Sequence, residues 1–244
     1  MQNELSSATQ SWGSAIWARV FAGVYDPVLW VGERAGLRAQ REELISRARG
    51  FTLEIGGGTG LNLPYYPDSI GELVLAEPDA SMRRRLERRL RRSGRPAQLL
   101  DSPAEQLPFA AGSVDTVVST FVLCTVDAPD EVLREVIRVL RPDGQLLFIE
   151  HVRSDSPTLA RWQDRLVTPW RCFARGCRCN RATAELMVSF GLRLDAVVET
   201  SWHAMPPIVR PLVIGRARMR ADVTDAGSLV VDHDTHCRSK TVGQ

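Results

Sequence analysis

Apolar positions along the chain fall into short continuous runs separated by polar or glycine-containing stretches with a helical period. Residues 51–55, 72–76, 97–100, 114–120 and 145–150 are such runs. Their apolar character on both alternating faces is that of strands buried within a parallel sheet. The intervening segments read as helices. Asp79 or Ser81 can cap a helix with the stripe Met82, Leu86 and Leu90, and Gly94 can end it. A second helix spans about 129–140, before the turn Arg141-Pro142-Asp143-Gly144. Further on, helical patterns at 158–167 and 181–190 precede strands at 192–199 and 208–216. The alternation predicts an α/β fold: a Rossmann-like, mostly parallel seven-stranded sheet with helices on both faces, which binds ligands at the carboxyl ends of its strands.

The ends of the chain differ from this middle. Residues 12–31 are apolar and aromatic but interrupted by Arg19 and Asp26, too costly for a membrane span, so residues 1–50 are expected to form a helical lid or substrate segment. Contact with a membrane surface stays open. Residues 51–217 form the expected central domain, and 218–244 are polar without a period, as in a flexible tail. The polar start Gln2-Asn3-Glu4 lacks the basic region of a secretory signal, which predicts a cytoplasmic protein.

Composition narrows the partners. The 244 residues include 31 basic and 29 acidic side chains, a net charge of +2, which argues against a nucleic-acid partner. Eight arginines crowd between Arg83 and Arg95, but they alternate with the helical apolar stripe and read as a solvated face. The five cysteines are odd in number and lack a disulfide framework, as in a reducing compartment. Cys172, Cys177 and Cys179 lack the fourth ligand of a structural zinc site, so no metal is expected. A small-molecule acceptor fits this composition, and monomer and homodimer both stay open.

The densest chemical signal is Glu54-Ile55-Gly56-Gly57-Gly58-Thr59-Gly60 at the end of the first strand. Its glycines permit a sharp turn and a close approach of backbone N–H groups to a ligand. The last glycine falls one place too early for the dinucleotide pattern, and Glu54 suits a cationic amino group better than a pyrophosphate. Glu77, at the end of the second strand, can accept hydrogen bonds from both hydroxyls of a ribose.

Together with Glu77-Pro78, Ala104 to Phe109, Ser113-Val114-Asp115 and Leu140 to Gly144, this loop resembles the motif series of class I S-adenosylmethionine-dependent methyltransferases. Thr120 to Cys124, Leu133 to Val136, Glu150-His151-Val152, Gly176-Cys177, Asn180-Arg181 and Ser201-Trp202 are similar to the methyltransferase-like protein 7 branch, known for thiol S-methylation. The resemblance covers about residues 20–216. It implies S-adenosyl-L-methionine as cofactor and S-adenosyl-L-homocysteine as product. It also implies that Glu54, Gly56, Gly57, Gly58, Gly60 and Asn62 hold the methionine part and that Glu77 with Pro78 holds the ribose. Asp101, Ser102, Ala104 and Glu105 would border the adenine, and Thr120 and Phe121 would lie under the sulfonium. Pro103 stands where many relatives carry an aspartate for the adenine, so Asp101 or backbone would supply that contact.

On this resemblance the acceptor is a small apolar molecule, preferably a thiol. A quinone or phenolic precursor methylated on carbon or oxygen is the alternative, and a non-catalytic cofactor-binding module is the rival from another class. His151, after the fifth strand, is the candidate proton acceptor. Tyr25, Trp30, Cys124 and His203 are the candidate acceptor-binding residues.

Overall fold

The computed structural model describes residues 2–220, with side chains from Ile16 onward. The expected tail lies largely outside this range. Helix α1 (Gln2–Gly32) runs through Pro27 and is longer than the apolar stretch that signalled it. A wide turn at Glu33–Leu37, where Gly36 takes φ 127°, bends the chain into α2 (Arg38–Ile45). Then follow β1 (Phe51–Ile55), β2 (Glu72–Ala76), α3 (Ala80–Ser93), β3 (Gln98–Leu100), β4 (Val114–Thr120), α4 (Pro129–Val139) and β5 (Leu140–His151). Helices α5 (Pro157–Phe173) and α6 (Thr183–Ser189) and strands β6 (Leu192–Ser201) and β7 (Pro211–Met219) complete the described chain.

The seven strands form one sheet in the order β3-β2-β1-β4-β5-β7-β6. Strands β1 to β5 pair in parallel, whereas β7 runs antiparallel between β5 and β6. Successive residues of β5 show why both faces need helices. Leu146 and Phe148 enter one core with Val132, Leu133 and Val136 of α4. Leu147 and Ile149 enter the other, with Leu29 of α1, Leu44 of α2 and Leu86 of α3. Period-two alternation thus feeds two apolar layers, and the strands read as continuous apolar runs.

The expected caps of α3 are both present. The Asp79 side chain accepts from the N–H groups of Ser81 and Met82, and Gly94 ends the helix in the left-handed conformation at φ 66°. At the far edge, the fully buried Gln163 of α5 donates to the carbonyls of Val152, Cys179 and Ile208 and accepts from the Ser154 N–H. This clasp fixes α5 beside the carboxyl ends of β5 and β6, where Trp170 and Phe173 then face the site.

Candidate active site

A cavity of about 390 Å³ opens at the carboxyl ends of β1, β2, β4 and β5. One part is polar, with Gly56, Gly58, Glu77, Asp79, Glu105 and Thr120 on its wall. The remainder is apolar and aromatic, including Phe21 and Tyr25 from α1, Trp170 and Phe173 from α5, and Trp202 and Met205 from the β6–β7 connection. A sheet edge supplies fixed backbone donors there, while helices bring apolar cover.

Glu77 is the best-defined polar group. The Gly58 N–H donates to its Oε2 at 2.7 Å and the Asp79 N–H to its Oε1 at 2.8 Å. Those bonds hold the carboxylate in one orientation, yet each oxygen keeps a free acceptor site. Burial nevertheless raises its pKa, opposed by the two N–H groups. Gly58 takes φ 56°, and a Cβ there would have only the Gly56 carbonyl within 4 Å, at 3.8 Å, so a side chain would project into ligand space. At Gly56, by contrast, a Cβ would lie 2.5 Å from Val122 Cγ2. Gly57 and Gly60 do not line the cavity; they let the loop press against Leu86 of α3.

Glu54 and Asn62 lie behind this wall rather than on it. The Asn62 amide donates to Glu54 Oε1 at 2.7 Å, and the Tyr66 hydroxyl donates to Oε2 at 2.8 Å. Arg41 of α2 donates to Asn62 Oδ1 at 2.6 Å and is itself paired with Glu33. Burial pushes the Glu54 carboxyl up to about 7, against the hydrogen bonds from Tyr66 and Asn62 and the Arg41 charge. A carboxyl so poised ionises readily when a cation arrives nearby.

The adenine side needs correction. Asp101 is exposed and forms a 2.6 Å ion pair with Arg83, outside the cavity wall. The Ser102 hydroxyl donates to the Gln106 carbonyl at 2.7 Å and closes its own turn. Pro78, Ala104 and Glu105 do line the cavity. The acceptor side also departs in part from expectation. Tyr25 lines the wall, and burial raises its hydroxyl above the usual range, so it stays protonated. Trp30 is 56% exposed beneath the Arg34 guanidinium, and His203 is exposed on a turn; neither borders the cavity. Trp202, next to His203, is the residue turned inward. Cys124 is fully buried behind the wall, and Cys177 reaches the cavity instead.

Thr120 and Phe121 sit on the wall at the end of β4. Phe121 adopts φ 60°, a strained conformation for a side chain of its size. Glu150 explains how that bend is held. Its buried carboxylate accepts from the Ser119 hydroxyl at 2.7 Å and from the N–H groups of Val122, Leu123 and Cys124 at 3.0–3.1 Å. From the other side, Arg181 donates to the carbonyls of Leu123 and Val126, and the Arg178 N–H donates to the Cys124 carbonyl at 2.7 Å. Sequence reasoning registered Glu150 and Arg181 only as parts of motifs. Trp170 and Phe173 were missed, although Trp162, Leu166, Trp170 and Phe173 follow the helical spacing that could have flagged them.

His151 ends β5 on the wall of the cavity. Its ring stacks on Phe121 with centroids 4.7 Å apart, and Phe121 stacks on Trp202 at 5.1 Å. Burial drives its pKa down to about 4, partly opposed by the Val209 carbonyl. The imidazole is therefore neutral near pH 7. Its Nδ1 is buried and has no hydrogen-bond partner among the described residues, which leaves it an acceptor without a donor.

The Methyltransf_11 model, a methyltransferase domain, matches residues 53–148. Human thiol S-methyltransferase TMT1B is 34% identical over 191 residues, spanning 73% of this chain and 76% of that one. Human thiol S-methyltransferase TMT1A is 32% identical over 197 residues, spanning 74% and 79%. An S-adenosylmethionine-dependent methyltransferase from Thermotoga maritima has the same fold, with a TM-score of 0.62 and 21% identity over 83% of this chain and 97% of that one. The chain therefore belongs to the class I S-adenosylmethionine-dependent methyltransferases, in the family that contains TMT1A and TMT1B.

Proposed function

We propose that the enzyme transfers a methyl group to the sulfur of a small apolar thiol. The observation that carries this reading is the juxtaposition of the pinned Glu77 carboxylate with an aromatic chamber containing a neutral His151. The human relatives named thiol S-methyltransferases support the choice of acceptor. The residues fit the cofactor: Glu77 would receive the ribose hydroxyls, Gly56 and Gly58 would pass close to the methionine part, and the ionised Glu54 would balance its ammonium group. S-adenosylmethionine, when bound, supplies an electrophilic methyl on a cationic sulfur.

The chain itself contributes position and dryness. Phe21, Tyr25, Trp170, Phe173 and Trp202 form a chamber with little competing hydrogen bonding, which favours an apolar acceptor over a charged one. Such surroundings also favour a reaction that neutralises charge as it proceeds. Helix α1 is the proposed cover: Asp26 accepts from the Thr59 hydroxyl at 2.5 Å and pairs with Arg89 at 2.6 Å, tying the helix to the glycine loop and α3.

His151 would receive a hydrogen bond from the thiol through Nδ1 and aim a sulfur lone pair. With the imidazole near 4 and a free thiol near roughly 8.5, complete proton transfer in the empty chamber would cost about 6 kcal/mol. Orientation is therefore its main part, and ionisation follows from thiol acidity. His151→Gln is expected to lower kcat on the order of tenfold or more by the same factor from pH 6 to 9, without a change in cofactor affinity. At saturating cofactor and with an alkyl thiol, the pH profile of the wild type should lack an acid limb near 6.5. A loss concentrated at low pH would instead make His151 a titrating base with a much higher pKa than its burial sets.

A further inference from the structure

Cys124 and Cys177 come from distant parts of the chain but lie next to each other at and behind the cavity wall. The Arg178 N–H bond to the Cys124 carbonyl, at 2.7 Å, joins the peptide groups that follow the two cysteines. That bond sets the two cysteines side by side in the fold. Gly176 secures the approach, because a Cβ there would lie 2.7 Å from the Thr125 carbonyl oxygen. Cys177 faces the cavity, Cys124 lies fully buried behind it, and both are free thiols. This arrangement places an accessible attacking sulfur in front of a shielded resolving one.

We infer that Cys177 and Cys124 form a redox-active pair that reduces small apolar disulfides entering the acceptor chamber, releasing them as thiols. The identity of those disulfides, as oxidised forms of the methyl acceptor, rests on the thiol reading above. The Cys177 thiolate attacks one sulfur of R–S–S–R, forming Cys177–S–S–R and expelling RS⁻, which takes up the proton lost by Cys177. Cys124 then attacks the Cys177 sulfur, forming the Cys124–Cys177 disulfide, and its proton leaves with the second RS⁻. One disulfide and two protein thiols thus become two RSH and one protein disulfide. Exchange with two molecules of another thiol restores the pair. The local chemistry suits both roles: the neighbouring Cys124 thiol lowers the Cys177 pKa against the opposing effect of burial, while burial raises that of Cys124.

The test uses reduced full-length protein carrying Cys172→Ser and Cys237→Ser, so that the exposed thiol and the one beyond the described residues do not react. Diphenyl disulfide is added without other reductant, and released thiophenol and protein adducts are followed by mass spectrometry. The expected result is two thiophenols per chain and a Cys124–Cys177 cross-linked peptide. Adding Cys124→Ser should give one thiophenol and a stable phenylthio adduct on Cys177; adding Cys177→Ser should abolish both products. Cross-link mapping of the otherwise wild-type chain covers the case in which a cysteine variant fails to fold. An unmodified Cys177, or an adduct that Cys124 never resolves, would overturn the proposal. Methylation of thiophenol by reduced protein is assayed separately: its absence alongside intact exchange would remove the thiol-methylation reading and leave the redox pair standing.

Discussion

Glu77→Ala is expected to weaken S-adenosylmethionine binding on the order of a hundredfold or more, with little change in thermal stability. The side chain lies at the end of β2, where its two oxygens are aimed by the N–H groups of Gly58 and Asp79. Two ribose hydroxyls meeting a carboxylate make charge-assisted bonds of about 1.5–3 kcal/mol each. Their loss falls on affinity because the two N–H groups are near the cavity and can turn to water. Calorimetry measures the change directly, and an unaltered Kd would remove Glu77 from the cofactor site. The same titration reports on Glu54. Its folded pKa of about 7 lies above the ordinary carboxylate value. In the absence of ligand, this favours the protonated protein, and the associated stability contribution is lost as pH rises from the unfolded value through about 7. A cation beside Glu54 would reverse the preference, so affinity should rise about tenfold from pH 6 to 8 with release of a proton. Glu54→Gln should flatten that dependence.

Glu150→Gln is expected to have the second large effect, on turnover and stability together. The native carboxylate accepts four hydrogen bonds from the segment between Ser119 and Cys124. An amide keeps the volume but presents an N–H₂ group to donors on one side, leaving at least one buried N–H unpaired at a cost of about 1–3 kcal/mol. For a chain of this size that corresponds to a fall in Tm of about 2–12 °C. The Phe121 bend would relax, since its φ of 60° is sustained by this loop. Turnover should therefore fall further than cofactor affinity, whereas Glu150→Ala should lose the fold more broadly. Equal kcat in Glu150→Gln and wild type would show that the bend does not set acceptor geometry.

The fold was readable wherever burial was symmetrical. The runs at 51–55, 72–76 and 114–120 became β1, β2 and β4 with the expected limits, because a strand covered on both faces has little polar alternation to obscure it. The final strand begins at Pro211 rather than 208, since Pro207–Val209 forms a short helical turn that hydrophobicity alone does not distinguish. In the candidate site, Glu77 and the glycine loop were readable because strand ends place them. Trp30 and His203 were misjudged because the sequence does not say which way a helix face or a turn points. Asp101 was similarly ambiguous: Arg83, one turn into α3, takes the carboxylate. The grip of Glu150 on the post-β4 loop and the meeting of Cys124 with Cys177 depend on contacts across the fold and left no local pattern.

The most direct measurement is S-adenosylhomocysteine release by the purified enzyme with a matched panel of alkyl thiols, thiophenol, phenols, quinols and amines. Turnover should be fastest with apolar thiols, rising with pH as each thiol ionises, and should collapse in Glu77→Ala at cofactor concentrations that saturate the wild type. Rapid turnover of phenols or quinols with none of the thiols would contradict the assignment and make the chamber one for oxygen or carbon acceptors.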